Sequence, residues 1–136
     1  CHRSHATMSF LNDLVLRAKP PNKWVLVEPF AYITYVKDAA GCIIEVPVGE
    51  VTDLASLPRV VRVFISQNGK HRGAAVIHDR LYRLAGILDY SRKEADLVFL
   101  EAMKVSGVSW TVRHMMYRGV RLGGWVVYNK YLKANK

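Results

Sequence analysis

Between Trp24 and Val48 short blocks of β-branched and aromatic residues alternate with turn formers, whereas after Gly69 the apolar positions recur every three or four residues. The first pattern predicts strands and the second helices. Blocks at 24–27, 32–36 and 42–46, with 37–41 as a turn, read as a small antiparallel meander. Pro20-Pro21-Asn22 separates it from an apolar stretch at 10–16, which packs as a strand or a short helix. Residues 47–58 form a loop bounded by two prolines, followed by an apolar and basic stretch at 59–65 and a turn at 67–70.

Residues 72–85 carry helical periodicity that ends near Gly86. Ser91 and Glu94 form a Ser-x-x-Glu capping box opening a second helix that runs to about Val105, with Gly107 as its stop. Ser109 opens a third, interrupted by Gly123-Gly124 before a tail bearing Trp125, Tyr128 and Tyr131. The predicted class is α+β: a small N-terminal antiparallel β-meander, then a three-helix C-terminal half with an antiparallel helix pair. One domain spans 8–136, β-rich over 8–58 and helical over 59–136, while residues 1–7, patternless and ahead of Met8, read as a tag remnant.

Composition narrows the class. The 136 residues are 51% hydrophobic, which is ordinary for one globular core, and no apolar run approaches a membrane span. With Cys1 set aside, Cys42 stands alone, which excludes a disulfide framework and fits a reducing compartment. The formal net charge of +9 calls for an anionic partner: a phospholipid surface, an acidic protein or nucleic acid.

The chemistry concentrates in two helices. In the first, His78 shares a face with Ala74, Ala75, Leu81, Tyr82 and Ala85, so its imidazole is directed inward, where a polar group needs partners. In the second, Asp96 has Phe99, Leu100 and Met103 at i+3, i+4 and i+7, which puts a carboxylate on the core stripe. A buried carboxylate is paired, hydrogen-bonded or metal-bound, and His78 on the neighbouring helix is its candidate partner. If Asp96 holds one ring nitrogen, the other becomes a base able to take a proton from water. Asp79 projects about 100° away around the helix and, with Asp53 in the proline-bounded loop, could offer oxygens to a hard cation, calcium by choice.

These residues resemble a known pattern. The run Ala74-Ala75-Val76-Ile77-His78-Asp79-Arg80-Leu81-Tyr82, followed by Ala95-Asp96-Leu97-Val98-Phe99-Leu100-Glu101-Ala102-Met103, is similar to the His-Asp-x-x-Tyr helix and later Asp-bearing helix of the phospholipase A2 superfamily. Over a longer span, Thr52-Asp53-Leu54-Ala55-Ser56-x-Pro58, His78-Asp79-x-Leu81-Tyr82 and Ser91-Arg92-Lys93-Glu94-Ala95-Asp96 resemble an uncharacterised domain family of tailed phages and prophages. The phospholipase resemblance implies His78 as the base, Asp96 as its orienter and Tyr82 as support for Asp96. It further implies calcium (Ca2+) held by Asp79 and Asp53, with Asp53-Leu54 falling where bacterial members carry a calcium-binding aspartate. The loop around Asp53 departs from the pattern, since it lacks the glycine-rich backbone that supplies calcium-binding carbonyls.

The expected activity is therefore a phage or prophage phospholipase A2-like hydrolase acting on phospholipid or a related ester. The alternative is a noncatalytic virion or tail-associated protein in which a His78–Asp96 bond only ties two helices and the basic tail docks on phage structural proteins. Asp79 then pairs with neighbouring arginines, Asp53 caps a turn, and His71 and His114 are surface or helix-end residues. The C-terminal cations Arg113, Arg118, Arg121, Lys130, Lys133 and Lys136, interleaved with Trp110, Trp125, Tyr128 and Tyr131, fit an anionic phospholipid interface. Nucleic acid is the weakest of the three partners, because no nucleic-acid motif accompanies them. Synthesis in the host cytoplasm is expected, with action there, at the envelope or in the virion left open.

Overall fold

The structure is a computed structural model and describes residues 9–21, 23–52, 57–59, 61–62 and 71–136. It is α+β, with antiparallel strands in the first half and helices in the second. The chain divides after Asp53 into two compact units.

The first unit holds six strands: β1 (Ser9–Phe10), β2 (Leu16–Lys19), β3 (Lys23–Leu26), β4 (Phe30–Thr34), β5 (Cys42–Val46) and β6 (Val51–Thr52). They form two three-stranded sheets, ordered β1-β4-β5 and β2-β3-β6, all pairs antiparallel. The meander thus breaks between its first two strands. Lys23–Leu26 turns back on Leu16–Lys19 across the prolines instead of pairing with β4. The stretch at 10–16 is divided, its start in β1 and its end in β2.

Hairpin β4–β5 carries this unit's core. Cys42, Ile44 and Val46 are buried while Glu45 between them is exposed, the alternation that a pleated strand imposes. Phe30 and Tyr32 are buried on β4, and Phe10 packs against both rings at 5.3 and 4.7 Å. The turn closes through the Asp38 carboxylate, which accepts the Ala40 N–H at 2.8 Å, and through Gly41 at φ 89°. Cys42, at the start of β5, is fully buried.

The second unit contains α1 (Arg72–Arg83), α2 (Arg92–Val105), α3 (Trp110–Gly123) and α4 (Trp125–Ala134). Helices α1 and α2 form the antiparallel pair, α3 packs on α2, and α4 returns to α1. Ala74, Ala75, Ile77 and Leu81 of α1 meet a core that includes Ala95, Val98, Phe99, Ala102 and Met103 of α2, all buried. Small residues among large ones let the two backbones approach.

The helix ends follow local chemistry. Ser91 Oγ accepts the Glu94 N–H at 3.1 Å and Glu94 Oε1 accepts the Ser91 N–H at 2.8 Å, completing the expected capping box. Helix α1 stops two residues earlier than its periodicity predicts, before Gly86 at φ 82°. There the Asn135 amide, arriving from the end of α4, donates to Arg83 O at 2.8 Å and Ala85 O at 3.1 Å. The predicted third helix becomes two, because its aromatic tail is itself helical beyond Gly124.

Candidate active site

Helical spacing puts His78 and Tyr82, four residues apart, on one side of α1, and both reach the same oxygen of Asp96 on α2. His78 Nε2 lies 2.8 Å from Asp96 Oδ1 and the Tyr82 hydroxyl donates to that oxygen at 2.6 Å. All three residues are fully buried. The His78 ring is flanked by Tyr82 at 4.2 Å and Phe99 at 4.9 Å, which restricts the imidazole's orientation. Tyr128 of α4 meets Tyr82 edge-on at 5.2 Å, while its own hydroxyl donates to Tyr90 O at 3.0 Å.

The other oxygen of Asp96 is held by cations. Arg121 Nη1 of α3 donates to Oδ2 at 2.9 Å, and Arg92 Nη1, one turn before Asp96 on α2, reaches it at 3.4 Å. The same Arg92 nitrogen donates to Arg121 O at 3.1 Å and Val120 O at 3.3 Å, placing positive charge at the carbonyl end of α3. One carboxylate therefore joins α1, α2 and α3.

Burial by itself would favour the neutral acid, but the hydrogen bonds from His78, Tyr82 and Arg121, with the His78 charge, outweigh it and hold the Asp96 carboxyl below its ordinary range. Burial, and then the Asp96 charge, push the Tyr82 phenol well above its ordinary value, so it remains a hydrogen-bond donor. An ionised carboxylate can only accept, so the proton between Asp96 and His78 resides on Nε2. In the neutral imidazole the basic lone pair is consequently on Nδ1.

Asp79 faces a different neighbourhood. Its Oδ2 accepts Arg83 Nε at 2.7 Å, and the carboxylate is buried rather than solvated. Asp53 and Leu54, the other expected calcium positions, lie outside the described residues, as does Ser56. Among the described residues no group of three or more His, Cys, Asp or Glu side chains is arranged to hold a metal ion. His71 does sit at a helix end, immediately before α1, but it is buried rather than on the surface. His114 Nδ1 donates to Trp110 O at 2.8 Å in the first turn of α3, and its ring stacks on that of Trp110 at 4.2 Å.

Sequence reasoning found His78, Tyr82 and Asp96 and missed both arginines. Arg92 was accessible through its i,i+4 relation to Asp96. Arg121 was not, because only the packing of α3 on α2 brings it there.

Fold and site together define an α+β protein with a buried His-Asp-Tyr cluster clamped by two arginines. The family described as "Protein of unknown function (DUF1353)" matches residues 24–120, more than half of the chain, and the protein belongs to that family. His78, Tyr82, Arg92 and Asp96 fall inside the matched span and Arg121 is the first residue beyond it. No curated protein and no solved structure matches the chain.

Proposed function

We propose that this protein is a phage or prophage hydrolase of phospholipase A2-like type, cleaving phospholipid or a related ester with His78 as base and Asp96 as its orienter. The observation that carries this reading is the single Asp96 oxygen shared by His78 Nε2 and the Tyr82 hydroxyl, at 2.8 and 2.6 Å. It is the arrangement that the resemblance to phospholipases A2 implies. His78 Nδ1 takes a proton from water, the water oxygen attacks the ester carbonyl, and the imidazolium is stabilised through Nε2 by the Asp96 charge. The proton then passes to the leaving alcohol, releasing carboxylic acid and restoring the neutral imidazole. Because the dyad is fully buried, turnover requires the protein to open there and admit water and ester.

Calcium would polarise the ester carbonyl if bound. Among the described residues no group of three or more His, Cys, Asp or Glu side chains could hold the ion, and Asp79 is paired with Arg83 at 2.7 Å. The reaction is accordingly derived from the side chains alone.

A second reading rests on the same burial. A carboxylate with four donors and no exposed edge also serves a noncatalytic virion or tail-associated protein, as a lock between helices. The deciding experiment measures fatty-acid release from mixed phospholipid vesicles by wild type, His78→Ala and His78→Gln, each with calcium and with a chelator, after circular dichroism verifies folding. Release by the wild type that both variants abolish supports the hydrolase. A folded wild type that releases nothing, or variants that match it, overturns it in favour of the lock. Loss of release with chelator alone would bring a calcium site back, formed in part by residues such as Asp53.

A further inference from the structure

All eleven acidic residues of the chain lie before Ala102, while seven of its twenty Lys and Arg lie after it. The segment forming α3 and α4 is thus cationic without any internal counter-charge. Those two helices are separated only by Gly124, whose dihedrals (φ −78°, ψ −17°) are right-handed helical. Its N–H bonds Val120 O at 2.8 Å and its carbonyl accepts the Tyr128 N–H at 3.0 Å, so the helical repeat continues through the joint.

That continuity aligns an outward stripe. Met115, Arg118, Leu122, Val126 and Lys133 follow one another at spacings of three, four or seven and all are exposed. The apolar members protrude: Leu122 is 80% exposed, Met115 61%, Val126 55% and the neighbouring Trp125 55%. Val120 and Tyr128, on the opposite side, are buried in the fold. A helix surface that presents aliphatic side chains and Trp to water, bordered by Arg and Lys, combines the two features of an interfacial membrane helix.

We infer that the α3–α4 stripe docks on an anionic phospholipid surface, with Leu122, Val126, Met115 and Trp125 entering the headgroup–acyl boundary and Arg118 and Lys133 meeting lipid phosphates. Nucleic acid would use the cations but leave the protruding aliphatic groups in water, so the lipid surface accounts for more of what is exposed. Among the described residues no helix is long and apolar enough to cross a membrane, so the contact is peripheral. Docking would bring the proposed hydrolase to its substrate layer. It is read by binding rather than by turnover, so either proposal can fail while the other stands.

The test is sedimentation of the intact protein with phosphatidylcholine vesicles and with vesicles containing one-third phosphatidylglycerol, at low and high salt. Wild type should bind the anionic vesicles and lose that binding as salt rises, with little bound to phosphatidylcholine. Arg118→Glu combined with Lys133→Glu should weaken binding by at least about twenty-five-fold, at roughly fivefold for each cation removed. Leu122→Ser combined with Val126→Ser should weaken it comparably while leaving the far-ultraviolet dichroism unchanged, since both side chains face water. Equal binding to neutral vesicles, no binding to either, or double variants that bind like wild type would each overturn the inference. So would duplex DNA displacing the vesicles from the wild type and from the Leu122/Val126 variant alike, since the apolar stripe would then contribute nothing.

Discussion

Replacing Asp96 by Asn keeps the shape of the side chain and removes the charge on which four donors converge. His78 and Tyr82 have no exposed surface and so no water to replace the lost acceptor. A hydrogen bond to a charged group is worth about 1.5–3 kcal/mol, and the Asn carbonyl retains one acceptor of roughly half that strength. Arg121 and Arg92 are 30% and 21% exposed, so each can turn partly to solvent and adds under about 1 kcal/mol. The expected loss is about 3 kcal/mol, at the lower end of the cost of breaking a buried ion pair. Urea unfolding near neutral pH measures it as a shift in midpoint at constant slope.

The same substitution predicts a pH dependence with a definite sign. The Asp96 carboxyl titrates lower in the folded state than its ordinary value of 3.8. Its contribution is therefore complete above that value and disappears as pH falls through the folded one. The stability gap between wild type and Asp96→Asn should therefore narrow as pH falls below 3.8. A loss below about 1 kcal/mol, or a gap that stays constant over that acid range, would refute the claim that an ionised Asp96 holds the three helices together.

Tyr82→Phe removes the 2.6 Å bond while leaving the ring packing and should cost about 2 kcal/mol in urea unfolding. If the hydrolase proposal holds, kcat should fall with little change in KM, because Tyr82 positions Asp96 without touching the ester. A methyl group on Gly124 would lie 2.5 Å from the Tyr82 hydroxyl and 2.6 Å from Val120 O, so Gly124→Ala should destabilise by about 2 kcal/mol, and combining it with Tyr82→Phe should cost less than the two losses added. Ser91→Ala deletes half of the capping box and should lower stability by about 1 kcal/mol without altering the acid-range gap assigned to Asp96.

What could be read along the chain is what depends on near neighbours. The inward placement of His78 and Asp96 follows from helical spacing against Ala74, Leu81, Phe99 and Met103, and the α2 start follows from Ser91 and Glu94; both appear in the structure. The strand blocks were also legible, but their partners were not. Periodicity identifies a pleated segment without naming the edge it joins, so nothing local distinguished β3 pairing with β2 and β6 from β3 pairing with β4. Tertiary placement likewise hid Arg121, whose guanidinium reaches Asp96 from a helix 25 residues further along.

The arginines change the physics of the centre. Burial presses Asp96 towards its neutral form, and a neutral carboxyl could donate a proton to Nε2 and leave Nδ1–H unable to act as a base. Arg121 at 2.9 Å adds to the hydrogen bonds from His78 and Tyr82 that keep the carboxylate ionised, and so helps fix the tautomer in which Nδ1 is basic. The two arginines also attach α3 to the pair α1–α2. Arg121 therefore connects the proposed base to the helix bearing the proposed lipid-facing stripe, since the next residue, Leu122, is its most exposed apolar side chain. Arg121→Met separates these roles: in the hydrolase reading it should lower kcat by about tenfold or more and shift the acid limb of the pH–rate profile upward, as Asp96 loses one of the hydrogen bonds that hold its carboxyl low. Vesicle binding should stay within about threefold of wild type, because Arg121 is spent on Asp96 and a single surface cation is worth no more than about fivefold. Larger loss of vesicle binding with an unmoved pH profile would mean that Arg121 serves the lipid surface and that Asp96 ionises without it.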